Sequence, residues 1–203
     1  MLSFADEIEK EVPQDDSASE GEKCFLYGLV RALKPKVVLE TGTHRGKATL
    51  YMANAIHDNG IGKLYTCDPN DGWDQVGNFR KFPDFEKFIT FKVIRGLDWD
   101  EPKDIDFFFC DGFHGKQDVI EEIEHYFPRL TDRAVVVFHD CDENPENDTT
   151  GVNAALTEKG LKYIHLMSQN RMRVYVHENL SSKPVGATNG TGAITGKSKK
   201  ADV

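Results

Sequence analysis

"VVLETGTHRGKAT", residues 37–49, decides how the rest of the chain is read. Its start is a short continuous apolar run without polar alternation, the pattern of a strand covered on both faces. Gly42 and Gly46 then allow a tight turn and close backbone approach. From Gly46 a helix fits, with Ala48, Tyr51, Met52, Ala55 and Ile56 on one face. A strand–turn–helix of this kind offers free N–H groups and partial positive charge to a ligand. The ligand is not an obvious phosphate. The glycine spacing is not the G-x-G-x-x-G that seats a pyrophosphate, and Lys47 is not followed by the Ser or Thr of a phosphate loop.

Working outward, strand and helix patterns alternate. Phe25, Leu26, Leu29, Val30 and Leu33 lie at helical spacing in "GEKCFLYGLVRAL", and Pro35 ends that helix. "KLYTCD" reads as a second strand, "FKVIRG" as a third, "IDFFFCD" as a fourth and "RAVVVFHD" as a fifth. Between the last two, "KQDVIEEIEHYF" is amphipathic through Val119, Ile120, Ile123, Tyr126 and Phe127. Residues 69–90 hold Trp73, Phe79, Phe82, Phe85 and Phe88 and read as a loop followed by a short helix; the phenylalanines suit a core and Trp73 a ligand contact. "GVNAALTEKG" is a short helix stopped by Gly160, and "LKYIHLM" with "MRVYVHE" reads as a β-hairpin across a tight turn. The expected fold is α/β: a Rossmann-like, doubly wound sheet of seven strands, mostly parallel, with a C-terminal antiparallel hairpin strand.

A chain of 203 residues fits one domain with a sizeable core. Net charge is −9, which argues against a protein that tracks nucleic-acid phosphates. The charge divides the chain into an acidic arm, residues 1–21, a body over residues 22–180, and a basic Gly/Ser/Thr/Lys tail, residues 181–203, expected to be disordered. No run approaches the roughly 18 apolar residues of a membrane span, and "MLSFADEIEKEVPQDD" lacks a signal peptide's layout. The expectation is a soluble, intracellular, cytoplasmic protein. Cys24, Cys67, Cys110 and Cys141 lack the paired spacing of a structural zinc site and are expected to be reduced.

In open parallel sheets ligands bind beyond the carboxyl ends of the strands. Asp111 ends the fourth strand, and His139 and Asp140 end the fifth, so adjacent strands bring the three within reach. A carboxylate directly after three phenylalanines and a cysteine is not something folding requires.

"LETGTHRG" resembles motif I of class I S-adenosylmethionine-dependent methyltransferases. "LYTCD", "VIRGLDW" and the closing hairpin follow in that family's order, and the resemblance covers about residues 22–178. It implies that Glu40, Gly42, Thr43 and Gly46 line the methionine end of S-adenosyl-L-methionine. The Glu40 carboxylate there suits an ammonium or sulfonium. Asp68 would take the ribose hydroxyls, and Leu97 and Asp98 would neighbour the adenine. His44 and Arg45 are expected to point to solvent.

"DGFH" and "FHD" further resemble the small metal-dependent O-methyltransferases, of the catechol and caffeoyl-CoA type and the bacterial sugar and antibiotic type. That resemblance implies a divalent cation, usually Mg²⁺, held by Asp111, His139 and Asp140; oxygen ligands suit such a hard ion. His114 then acts with Asp111 as the catalytic pair, His114 being a base, a ligand or a cap of the following helix. Cys110 and Cys141 are either inert buried thiols or zinc ligands. The implied partners are a small-molecule or sugar acceptor, with no nucleic acid and no membrane; the acidic arm would form a lid or a homodimer contact. A metal-free methyltransferase, a dinucleotide-dependent oxidoreductase and a non-catalytic cofactor-binding module remain alternatives.

Overall fold

The structure, a computed structural model, describes residues 3–13, 18–141, 151–166 and 172–177. The strands are β1 (Val37–Thr41), β2 (Lys63–Asp68), β3 (Ile89–Val93), β4 (Ile105–Cys110), β5 (Leu130–Phe138), β6 (Tyr163–Leu166) and β7 (Met172–Val176). The helices are α1 (Ser3–Glu11), α2 (Glu20–Leu33), α3 (Lys47–Asn59), α4 (Gln75–Arg80), α5 (Pro83–Glu86), α6 (Lys116–Tyr126) and α7 (Val152–Glu158). One seven-stranded sheet has the order β3-β2-β1-β4-β5-β7-β6. β1 to β5 pair in parallel, and β7 runs antiparallel to both β5 and β6. The turn expected between β6 and β7 lies outside the described residues, as does the basic tail.

The central strands are apolar because both faces are covered. Along β4, Phe107 and Phe109 enter the core with Leu26 and Val30 of α2 and Met52 and Ile56 of α3. Phe108 points the other way, into a core with Ile120, Ile123 and Tyr126 of α6 and Leu156 of α7. Strand order reverses between β1 and β4, so the crevice at their carboxyl ends is the topological switch point.

Three segments differ from the sequence expectation. β3 begins at Ile89, two residues early, because as an edge strand it is only half covered and its apolar signal is weak. α3 is buried over every residue from Lys47 to Ile56, since α1 and α2 both cover it, so a one-face reading falls short. The acidic arm is not separate. Ala5, Ile8 and Val12 pack against Leu50, Tyr51, Phe79 and Phe82. Glu9 receives Lys23 at 2.5 Å and Lys47 at 2.7 Å, both ammoniums buried. A boundary at residue 22 cuts through α2, whose start is a capping box between Ser19 and Glu22.

Candidate active site

A cavity of about 870 Å³ opens at the switch point, walled by the ends of β1, β2, β4 and β5. Gly42 and Gly46 shape the turn above β1, with φ of 84° and 86°. A Cβ on Gly42 would lie 1.9 Å from the Asp111 carbonyl oxygen, and one on Gly46 would lie 2.3 Å from the Phe79 ring. Only glycine lets β1 and β4 close up at this point. The Gly42 N–H donates to the Cys67 carbonyl, and the His44 N–H donates to Asp68 Oδ2 at 2.8 Å. Asp68 Oδ1 accepts from the Asn70 N–H, so two backbone donors fix this carboxylate in the cavity wall.

Glu40 does not line the cavity. Strand alternation turns it below the turn, where Oε2 accepts from Thr49 Oγ1 at 2.5 Å and Thr66 Oγ1 at 2.6 Å. Burial pushes its carboxyl up to about 8, against the lowering effect of the two threonines. Thr43 is buried too, its hydroxyl 2.5 Å from that of Thr66. Glu40 and Thr43 therefore brace the turn from beneath. Gly96 is in the cavity wall, whereas Leu97 and the exposed Asp98, on the same short 3₁₀ turn, are not.

His44 and Arg45 depart from the expectation of a solvent-facing loop. Both line the cavity and both lie against Trp73: the imidazole is 4.4 Å from the indole by ring centroids, and the guanidinium is 4.9 Å away. These two contacts tie Trp73, and with it the 69–74 loop, to the turn after β1.

The strand-end acids meet as expected. His139 Nδ1 lies 2.8 Å from Asp111 Oδ1 and 3.5 Å from Asp140 Oδ1. His114 Nδ1 lies 3.1 Å from Asp140 Oδ2, and its Nε2 lies 3.6 Å from Asp111 Oδ1. α6 is capped by Gly115 with no side-chain cap, so His114 is free of the capping role. Burial alone would raise the Asp111 carboxyl, but His139 and His114 outweigh it and hold it below the usual range. Burial alone would lower both imidazoles. The Asp111 and Asp140 carboxylates outweigh it, raising His114 and raising His139 far more.

Asp111, His139 and Asp140 bring ligand atoms within 4.8 Å of one another. Two carboxylates and an imidazole are a donor set that fits a divalent cation. Neither His139 ring nitrogen, both buried, has an aligned hydrogen-bond partner among the described residues, which fits the same role. Zinc-ligating thiols do not: Cys110 Sγ donates to Glu122, and Cys141 Sγ donates to the Phe138 carbonyl.

Two buried acids escape the sequence reading. Glu22 Oε2 lies 3.6 Å from His139 Nε2, and Glu122 lines the cavity from α6. Each sits within an apolar stripe, Glu22 four residues before Leu26, and Glu122 three after Val119 and four before Tyr126. An acid at such a position is the signal that could have found them.

Solved structures share this fold at low identity. An O-methyltransferase from Bacillus cereus, solved in complex with SAH, superposes with a TM-score of 0.69 at 15% identity, covering 88% of this chain and 92% of that one. TomG from Streptomyces achromogenes, an O-methyltransferase involved in tomaymycin synthesis and solved with SAM, gives 0.66 at 19% identity, covering 87% and 89%. The class these matches define is that of a Rossmann-like α/β fold, shared with those two enzymes. A family model described as a methyltransferase domain matches residues 39–141, and the chain belongs to that family. Protein y4gI of Sinorhizobium fredii is 29% identical over 134 residues, 58% of this chain; the match spans 14% of y4gI's own length.

Proposed function

We propose that the chain is an S-adenosylmethionine-dependent O-methyltransferase acting on a hydroxyl of a small molecule or sugar, assisted by a divalent cation such as Mg²⁺. The observation that carries this reading is the convergence of Asp111, His114, His139 and Asp140 on the same cavity wall that Asp68 and Gly42 border. Asp68 would take the ribose hydroxyls. Gly42 would let the backbone approach the methionine end, with Glu40, Thr43 and Gly46 supporting the turn. The net charge of −9 supports a small acceptor over a nucleic acid. Among the described residues no helix is long and apolar enough to cross a membrane.

Asp111, His139 and Asp140 would hold the cation, which when bound supplies Lewis acidity to the acceptor hydroxyl. The remaining chemistry belongs to the chain's own residues. The hydroxyl oxygen attacks the methyl carbon in line, the carbon–sulfur bond breaks, and its electron pair stays on sulfur. His114, on the cavity wall beside Asp111 and Asp140, takes the hydroxyl proton. The Asp111 and Asp140 carboxylates stabilise the imidazolium that forms. Trp73, held by His44 and Arg45, shields the reacting groups from water.

A metal-free variant of the same transfer is favoured by one distance, the 2.8 Å between His139 Nδ1 and Asp111, because an imidazolium there already offsets part of the acidic charge. Initial rates on a panel of phenols and sugars, after chelation and after Mg²⁺ add-back, separate the two. Rates lost on chelation and restored by Mg²⁺ support the metal-assisted form; full activity after chelation supports the metal-free form. No methyl transfer together with no S-adenosylmethionine binding would rule out both.

A further inference from the structure

Glu122 is a buried carboxyl in the cavity wall that the proposed chemistry leaves unused. Its residue is 4% exposed, and it occupies the face of α6 that Val119, Ile123 and Tyr126 turn to the core. Burying a carboxyl at an apolar position is unfavourable unless its oxygens find donors. Oε2 has two, the Thr41 hydroxyl at 3.1 Å and the Cys110 thiol at 2.9 Å. Oε1 accepts from no donor among the described residues, yet Glu122 is part of the cavity wall.

Two glycines keep Oε1 within reach of a ligand. A Cβ on Gly112 would stand 2.7 Å from Oε1, and one on Gly96 would stand 3.3 Å from it. Bare backbone on both sides leaves a slot with a carboxyl oxygen at its base. The slot is held in shape, since the Tyr126 hydroxyl donates to the Gly96 carbonyl at 2.7 Å. It also lies beside the ribose position: the Ile94 N–H, two residues before Gly96, donates to the Asp68 carbonyl at 3.1 Å.

We propose that Glu122 reads the base of the cofactor, its Oε1 accepting a hydrogen bond from the exocyclic amine of adenine. This rests on the adenosyl cofactor proposed above. With the ribose at Asp68, a flat base reaches the slot between Gly96 and Gly112. The exocyclic amine carries the only N–H donors of the N9-substituted adenine ring, so it is the group that satisfies Oε1. A hypoxanthine base has a carbonyl oxygen at that position and would set two acceptors against each other. A site with a buried polar group left unpaired rejects such an analogue strongly. Glu122 is then a specificity residue.

Calorimetry on the full chain with S-adenosylhomocysteine and its deaminated, inosine-containing analogue tests this. The wild type is expected to prefer the adenine form by about 30-fold or more. Glu122→Leu should cut that preference to within about threefold. Glu122→Gln, whose amide can turn an N–H toward a carbonyl, should narrow it while keeping the side chain's shape, and it carries the test if the leucine variant does not fold. Thermal unfolding of each variant checks the fold. Equal weakening of both ligands in the variants, or no preference in the wild type, overturns the proposal. Loss of all binding in the wild type overturns the cofactor reading itself, and this inference with it.

Discussion

Glu22 and Lys23 are neighbours on α2, yet they reach into two buried charge clusters of opposite character. Lys23 joins Lys47 around Glu9, two ammoniums to one carboxylate, and the result ties the arm to α3. Glu22 approaches His139, which already faces Asp111 and Asp140, so three carboxylates surround one imidazole. The first cluster lies between helices away from the cavity wall, and its cations have flexible stems that reach their partner. The second has Asp111, His139 and Asp140 in the cavity wall at the strand ends, with Glu22 reaching in from α2, and negative charge is in excess. That excess is what a bound cation or a transient proton would relieve. The same physics of buried charge thus ties helices together in one place and, under the proposed function, would prepare chemistry in the other.

The comparison can be broken from either side. The largest expected effect is in the acidic cluster. Asp111→Asn should lower methyl transfer by about a thousandfold or more, with S-adenosylhomocysteine affinity changed by less than about threefold; initial rates and calorimetry on one preparation check both. Glu9→Gln should instead act on stability, costing about 3 kcal/mol because it strands two buried ammoniums, while folded protein keeps its cofactor affinity. Denaturant unfolding measures it.

The pH dependence of that cluster follows from its sign. Burial would raise the Glu9 carboxyl, but Lys23 and Lys47 together bring it below its ordinary value of 4.5. Its contribution is complete above that ordinary value and drains away as pH falls through the lowered one. Acid unfolding should therefore set in at higher pH when Lys47→Met removes one partner.

Glu40 should behave the other way. Its folded value is about 8 against an ordinary 4.5, so between those limits the folded state keeps a proton that the unfolded chain has released. Stability falls with rising pH across that window, by at most about 1.4 kcal/mol per unit. Glu40→Gln should flatten the slope, and thermal unfolding from pH 5 to about 8 would reveal it. The smallest effect is expected at Trp73, where alanine removes the contacts with His44 and Arg45 and should weaken cofactor binding by about three- to tenfold.

Much of the fold is legible in the sequence because two-sided burial writes unbroken apolar runs at β1, β4 and β5. The strand-end acids are legible for the same reason: Asp111 and Asp140 interrupt those runs where the sheet meets solvent. Other features are hidden. The charge of residues 1–21 masks Ala5, Ile8 and Val12, a helical stripe that docks α1. The side of β1 that Glu40 faces depends on alternation within a strand whose two faces are both apolar. Glu22 and Glu122 sit inside helical stripes read for their apolar members. His44 and Arg45 belong to a turn whose side-chain directions follow from backbone angles, φ 47° at His44, that periodicity does not encode.

The proposed site pairs an adenosyl cofactor with a cation held by strand-end acids. Titrating S-adenosylhomocysteine and then Mg²⁺ into the chelator-treated full chain tests it most directly. The predicted result is one S-adenosylhomocysteine per chain, followed by one Mg²⁺ per chain that Asp111→Asn abolishes. A wild-type chain that takes up no S-adenosylhomocysteine, or a Mg²⁺ isotherm that Asp111→Asn leaves unchanged, would contradict it.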